Sequence, residues 1–481
     1  MEYATLALGL ALPWLLGIAL LLALGWPRSL AEAPDTDWDS ADVALIIGYG
    51  YFIGSLALTL WMRVLSAADV GFSRIAVGAP LLAVVAGLFY WLIQGGRLSV
   101  ANLRGAAAAL VRLPLPRWER WIWAGLLIWL ALRFILIAAE VAWRPLYPWD
   151  AWVQWATKAR VWYELGRIVL FVSADAWLAG AGGAYSDASP DNPATIPLLQ
   201  VWSSIALGRW DDAAMNWPWP LMLLALAFAV YGALRSVDLP ALGALIGVYL
   251  VASLPLLDAH AALAGYPDLM ASAVYTLAAL AFHRWALSRD VRDVVVAAAL
   301  ALACPFIELA GTLWALTLVP GLIVMIWPRR GLQIVGLGFA VAALTVLALT
   351  QSEPSIFGYS LHLDYRPPWH SLTDAYLLLG NWHLLWYAVI VLAIVGARQL
   401  LRPPLAPLAM VVASGLGLLF IAAAFAQSNL WVAPLGSLNR ATLHLAPLLV
   451  CLSALLWREL SASARAASLP SAPELAHDAR L

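Results

Sequence analysis

Asp150 stands in the stretch YPWDAWVQWATKARVWY, where a carboxylate follows Tyr-Pro-Trp and opens a helical pattern. A carboxylate in that setting has two uses. It caps the helix by accepting a backbone N–H of the first turn, or it serves as a general base where a hydroxyl is presented to it. Lys158 follows eight residues on, about two turns at ~3.6 residues per turn, so the two side chains are able to face one cavity. It is the only lysine among 27 cations, the rest being Arg. An ammonium there neutralises an anionic oxygen beside Asp150, or it snorkels to anchor a surface helix. Trp149, Trp152, Trp155 and Trp162 lie along the same stretch. They read as an interfacial aromatic belt, with room for one of them to act as a platform for a sugar ring.

Five more groups have the types and surroundings for chemistry. Asp191 lies in SPDNPATIPLLQVW, and Asp268 begins an apolar run in AGYPDLMASAVYTLAAL, where an acid also suits the start of a helix. Glu308, in ACPFIELAGTLW, sits between two apolar runs with no cation nearby in sequence. A carboxylate in such surroundings requires a partner. Arg440 and His444 are four residues apart in SLNRATLHLAPLL and so share a helix face. Such a pair suits phosphate oxygens, or it anchors the end of a membrane span.

The elements that must carry these groups are membrane helices. The chain has 481 residues, 63% hydrophobic and 11% charged, where a soluble domain carries roughly 25% charged residues. A crossing takes about 20 apolar residues. The sequence predicts an all-α integral membrane protein with thirteen spans, at 4–26, 43–65, 75–93, 121–139, 217–235, 240–257, 267–287, 293–307, 311–327, 332–350, 384–401, 405–426 and 441–457. Its N-terminal run lacks the basic start of a signal peptide and reads as a retained span. Cys304 and Cys451 lie in apolar runs, and neither a disulfide nor a metal cluster is expected from them. The net charge of −1 argues against a nucleic-acid partner.

Short Arg-rich loops stay cytoplasmic. That rule puts 97–120, Arg235, the 284–292 turn, Arg329 with Arg330, Arg398 with Arg402, and Arg458 on the inner side, provided 193–208 is a helix lying on the outer surface rather than a span. The outer side then holds loops 140–216, 258–267, a turn near Glu308, 351–383 and 427–440, and with them all seven candidate residues. The expected organisation is a three-span extension (1–96), a basic cytoplasmic loop (97–120), a catalytic membrane module (121–457) with a helical outer loop (140–216), and a disordered cytoplasmic tail (458–481). The first three spans then start outside and put the acidic DTDWDSAD loop inside, which the charge rule supports poorly.

Five motifs in order, YPWDAWVQWATKARVWY, SPDNPATIPLLQVW, AGYPDLMASAVY, FIELAGTLWAL and LNRATLHLAPLL, give residues 121–457 a resemblance to a known family. The chain resembles the GT-C superfamily of polytopic glycosyltransferases, and within it the polyprenyl-phosphate-sugar-dependent enzymes similar to the protein mannosyltransferases and the lipid A aminoarabinose transferase. It departs from them at Asn192, Ala194 and Thr195, where Tyr or Pro is common, and at Pro305-Phe306-Ile307, which replaces a Lys-Asn approach to the Glu.

The resemblance implies inverting transfer of a single sugar from a polyprenyl-phosphate donor to an acceptor hydroxyl of a lipid or glycan, on the periplasmic or outer face of a bacterial inner membrane. It implies Asp150 as general base, with Lys158, Arg440 and His444 on the donor phosphate. Asp191, Asp268 and Glu308 would orient acceptor or sugar hydroxyls. No cofactor or metal is called for, since side-chain cations alone are able to receive a monophosphate, although the acids leave a divalent ion open. Two other classes compete. A lipid-linked glycan polymerase or ligase would lean on Arg366 and His370 of the 351–383 loop, and a transporter would place its ionisable groups near the midplane of repeated halves.

Overall fold

The computed structural model describes residues 1–27, 38–111, 115–349, 367–425 and 436–468, apart from 181 and 184, together with 355–356, 359–360 and 365. Asp364, Arg366, residues 427–435 of one expected outer loop, and the tail from 469 lie outside the described residues.

Apart from a two-residue antiparallel ladder pairing Ser355–Ile356 with Tyr359–Ser360, the described elements are helices. They are α1 (Glu2–Leu24), α2 (Ser40–Ala67), α3 (Arg74–Gln94), α4 (Val100–Val111) and α5 (Arg117–Trp143). The first loop carries a π-type turn at Ala151–Ala156, then α6 (Thr157–Leu165), α7 (Ala174–Leu178) and α8 (Thr195–Leu207). There follow α9 (Pro218–Arg235), α10 (Ala241–Ala252), α11 (Pro255–Ala262), α12 (Asp268–Ser288), α13 (Val291–Ile307), α14 (Gly311–Leu316), α15 (Leu318–Ile326) and α16 (Pro328–Leu349). The last are α17 (Trp369–Thr373), α18 (Leu385–Val395), α19 (Ala397–Leu400), α20 (Ala406–Phe425), α21 (Gly436–Leu443) and α22 (Ala446–Ser468).

Among the described residues, eight helices are long and apolar enough to cross a membrane: α1, α2, α3, α5, α9, α16, α20 and α22. The chain is thus a multi-pass membrane protein by the length and composition of its helices. The other five stretches read as spans take different forms. The 240–257 stretch becomes the pair α10 and α11, bent by 65° at a short break, which counts as a ninth span if the pair crosses as one. The 311–327 stretch divides into α14 and α15, while α13 and α18 are short, with 17 and 11 residues. α12 has the length, but it carries Asp268, His283 and Arg284, and it is buried along Asp268–His283. α12 is thus a helix supported by protein neighbours rather than by lipid, whereas α18 has no buried residue.

Small residues let the backbones meet. A Cβ on Gly54 of α2 would overlap the Pro13 carbonyl of α1, and one on Gly17 would overlap the Gly50 carbonyl. Close approach of this kind drives association where the solvent is as apolar as the side chains. The three N-terminal spans are therefore not set apart from the rest. Tyr49 Oη donates to the Leu277 carbonyl of α12 at 3.0 Å, and Tyr51 Oη to the Pro218 carbonyl of α9 at 3.0 Å.

Polar contacts fix which way α1 runs relative to the rest. Its first residue, Glu2, pairs with Arg209 of the first loop at 3.2 Å. At the other end Trp26 Nε1 donates to Asp293 Oδ1 at 2.7 Å, the same oxygen that Arg284 Nε approaches at 3.2 Å. The start of α1 thus lies with loop 140–216, and its end lies with the 284–292 turn. This is the direction that the charge rule alone supported poorly.

Two expectations are corrected. The 193–208 segment is a helix but does not lie on the surface, for every residue of α8 is buried. Its Trp202 Nε1 donates to the Gly9 carbonyl of α1 at 2.8 Å, so the segment that the Arg-loop parity left on the outer surface packs against α1 instead. The tail does not begin as disordered chain either, since α22 continues as helix to Ser468.

Candidate active site

Interruptions in the helices bring five of the seven candidate residues together. Asp150 follows the end of α5 and leads into the π-type turn. Its backbone is already helical (φ −60°, ψ −36°) and its side chain makes no cap hydrogen bond. An N-cap residue has extended backbone and lends its side chain to the first turn, so the capping reading of Asp150 fails on both counts. Glu308 occupies an extended residue (φ −150°, ψ 146°) where α13 stops and α14 has not begun. The chain turns tightly there, because a Cβ on Gly311 would strike the Cys304 carbonyl. Arg440 rides on the short helix α21, and His444 lies at the break before α22.

Arg440 is the hub. Its Nε and Nη2 donate to the two oxygens of Asp268 at 3.1 and 3.0 Å, a fork-on-fork pairing, while Nη1 donates to Asp150 Oδ2 at 2.5 Å. Bidentate pairing holds a guanidinium in one plane as well as binding it. That plane lies over the Tyr266 ring, with Cζ 4.7 Å from its centroid. Asp268 is 1% exposed, while the Arg440 and Asp150 side chains are 29% and 30% exposed. Behind them His444 Nε2 lies 3.7 Å from Asp268 Oδ1 and 3.2 Å from Glu308 Oε2, and His260 Nε2 lies 3.9 Å from Asp268 Oδ2. Burial works against a charged His444, but the Glu308 and Asp268 carboxylates outweigh it and push its pKa up to about 10. The result is a layered site: a sealed Asp268–His444 base, with Arg440, Asp150 and Glu308 at the opening.

Two helix-to-helix contacts hold this layer. Ser272 Oγ of α12 donates to the Leu443 carbonyl at 2.8 Å, and Trp314 of α14 meets the His444 ring edge-on at 5.6 Å. Thr195 Oγ1 donates to the Phe306 carbonyl, just before Glu308, at 2.5 Å and receives Arg63 Nη2 at 2.8 Å. Thr195, one of the positions where the motif departs from its relatives, therefore ties α2 to the turn that aims Glu308.

The other two candidates form a separate group. Lys158 is buried, and its Nζ donates to the Ser189 carbonyl at 2.6 Å and lies 3.6 Å from Asp187. Burial lowers its pKa, and the Asp187 charge, with a smaller contribution from Asp191, pulls it back. The expectation that Lys158 faces a cavity with Asp150 therefore gives way to an internal brace of loop 140–216. Asp191 is exposed beside that brace. His444 is likewise too deep, at 3% exposure, to be the first group a phosphate meets. Of the tryptophans, Trp155 and Trp162 are core residues, and Trp149 and Trp152 are exposed.

Sequence reasoning missed Tyr266 and Asp187, which carry no signal until their partners are known. It also missed Arg63 and Arg133, whose positions inside the apolar runs SLALTLWMRVLSA and IWLALRFILIAA were signals in themselves. His370 is 92% exposed and paired with Asp374 at 2.9 Å. Among the described residues no group of three or more His, Cys, Asp or Glu side chains is arranged to hold a metal ion. No family model, curated protein or solved structure matches this chain.

Proposed function

We propose that the protein is a membrane glycosyltransferase of the GT-C kind, moving a single sugar from a polyprenyl-phosphate donor to an acceptor hydroxyl at the Asp150–Arg440 site, on the periplasmic or outer face of a bacterial inner membrane. The observation that carries this reading is the triple engagement of Arg440. Asp268 fixes the guanidinium from behind with two bonds, the Tyr266 ring lies against its plane, and its third bond goes to Asp150, a half-buried carboxylate at the opening.

The chemistry follows from that geometry. A donor phosphate reaching Arg440 takes the Nη1 that Asp150 holds in the free protein. The displaced carboxylate then faces the sugar without its cation and accepts the proton of the acceptor hydroxyl. The acceptor oxygen attacks the anomeric carbon, the bond from that carbon to the phosphate oxygen breaks, and its electron pair leaves on the lipid phosphate. Inversion results, because attack and departure occur on opposite faces. The departing charge is met by a guanidinium already held in place, which is where electrostatic catalysis is strongest. Glu308 is placed for sugar or acceptor hydroxyls, and His444 acts through Glu308 and Asp268 rather than on the phosphate. This arrangement shifts two expected roles, leaving Arg440 as the phosphate cation and Lys158 outside the chemistry.

The test is to supply purified protein with a panel of polyprenyl-phosphate sugars and a cell-envelope extract as acceptor, and to follow release of polyprenyl phosphate. Release that requires both donor and extract supports the reading, and no release with any donor overturns it. A second reading, a transporter, draws on the broken helix pair α10–α11 and on charges gathered at helix breaks, as in transporters with discontinuous helices. Sugar uptake into vesicles without release of lipid phosphate would favour it.

A further inference from the structure

A second charged pair lies away from the Asp150–Arg440 site. Arg133 of α5 donates through Nη2 to Asp258 Oδ2 of α11. Its guanidinium also sits over the Trp129 ring, 5.5 Å from the centroid. Arg133 is ten residues from the Trp143 end of its span, about 15 Å at ~1.5 Å per residue, so the pair is well inside the helix. A charge at such depth is costly and calls for a use. The pair is also under-satisfied: Arg133 Nε and Asp258 Oδ1 are both buried without a hydrogen-bond partner.

The pair borders a cavity of about 400 Å³, lined by Trp129, Arg133, Tyr249, Ser253, Asp258 and His383 among others, at the break between α10 and α11. Tyr249, Ser253 and His383 also line a larger, mainly apolar groove of about 850 Å³ between α10, α18 and α22. The groove touches α22 from Val450 to Arg465, a rise of about 22 Å, and its far end is bordered by Glu119, Arg458 and Arg465. The polar cavity and the groove share residues with each other and none with the Arg440 cluster. α11 serves both sites, with Asp258 lining the cavity and His260 near Asp268.

We propose that the cavity and groove form a second lipid site, taking a long-chain phosphate monoester with its head on Arg133 and Asp258 and its chain along the groove. Charge and donor count select the head. A monoprotonated phosphate offers an anionic oxygen to the guanidinium and a P–OH to the unpartnered carboxylate oxygen, so both halves of the pair gain a partner. A phosphodiester has no P–OH to give. The apolar walls of the groove, Leu242, Ile246, Leu250, Leu385 and Leu392 among them, select the chain. The spent carrier of the reaction proposed above is a monoester of this class, but the site is argued from its own residues and stands if that reaction fails.

The experiment is native mass spectrometry of the purified full chain with polyprenyl phosphate, uncharged polyprenol and phosphatidylglycerol. Wild type is expected to hold polyprenyl phosphate at least about tenfold more tightly than either of the others, the gain of a charge-assisted head contact. In an Arg440→Gln background, which removes the phosphate cation of the reaction site, the preference should persist, and adding Arg133→Gln/Asp258→Asn, which leaves no buried charge unpaired, should abolish it. Ala454→Trp, on the groove wall away from the pair, should weaken binding of all three lipids at this site. Equal binding of phosphatidylglycerol would make this an ordinary bilayer-lipid contact and overturn the proposal. So would full binding in Ala454→Trp, and loss of the preference in Arg440→Gln would assign the lipid to the reaction site instead.

Discussion

Asp150→Asn separates chemistry from bracing. In the folded protein Asp150 makes one charge-assisted bond to Arg440 Nη1 with its side chain 30% exposed, while Arg440 keeps both bonds to Asp268. The asparagine oxygen still accepts from Nη1, so the change exchanges a charged acceptor for a neutral one, worth about 1 kcal/mol before solvent screening lowers it further. Asp268→Asn is different in kind. The amide brings a donor to a site faced by Arg440 donors and His444, and it removes the counter-charge from a group 1% exposed. Breaking a buried pair in this way costs about 3–5 kcal/mol. Unfolding in mixed micelles of graded denaturing detergent should therefore rank Asp268→Asn far below Asp150→Asn, with the latter close to wild type. Release of polyprenyl phosphate should nonetheless fall by about 100-fold or more in Asp150→Asn, the span of a lost general base. Equal destabilisation by the two variants would make Asp150 a brace, and unchanged release in a folded Asp150→Asn would refute its role as the base.

Two further outcomes follow from the buried charges. Lys158→Ala strands Asp187, whose side chain is fully buried, and should destabilise by about 3–5 kcal/mol; the Lys158→Met/Asp187→Leu double variant should recover most of that loss in the same unfolding assay, and donor binding by any folded variant should be unaltered. His444, with its pKa raised to about 10 in the folded protein from about 6.5 when unfolded, contributes stability that is complete below about 6.5 and is lost as pH rises towards about 10. The stability gap between wild type and His444→Gln, followed by unfolding across that range, should shrink steadily with pH, and a gap that widens would contradict the Glu308 and Asp268 pairing.

The membrane class was legible in the sequence because it rests on composition and run length, and the eight helices with enough apolar length coincide with eight of the predicted spans. Asp150, Asp268, Glu308, Arg440 and His444 were legible as well, since ionisable residues at the ends of apolar runs stand out where lipid penalises them. Their partners were not. Arg440 is separated from Asp150 by 290 residues and from Asp268 by 172, and no local pattern specifies a contact across such distances. Lys158 was assigned to Asp150 by helical spacing, but a long flexible cation follows the nearest buried counter-charge, and Asp187 lies on a loop return that spacing does not see. The same holds for α8, which loop-charge parity left on the surface because no count along the chain sees its contact with α1.

Hydropathy and charge along the chain thus determined that this is a multi-pass helical membrane protein and which ionisable residues lie at the ends of its apolar runs. Tertiary structure alone decided that α12 is supported by protein, that α1 runs from the first loop towards the 284–292 turn, and that Arg440 is the common partner of two distant carboxylates. The physical reason is one of range. Transfer free energy is a property of each residue and sums along the sequence, whereas an ion pair exists only where the fold closes the distance between its members.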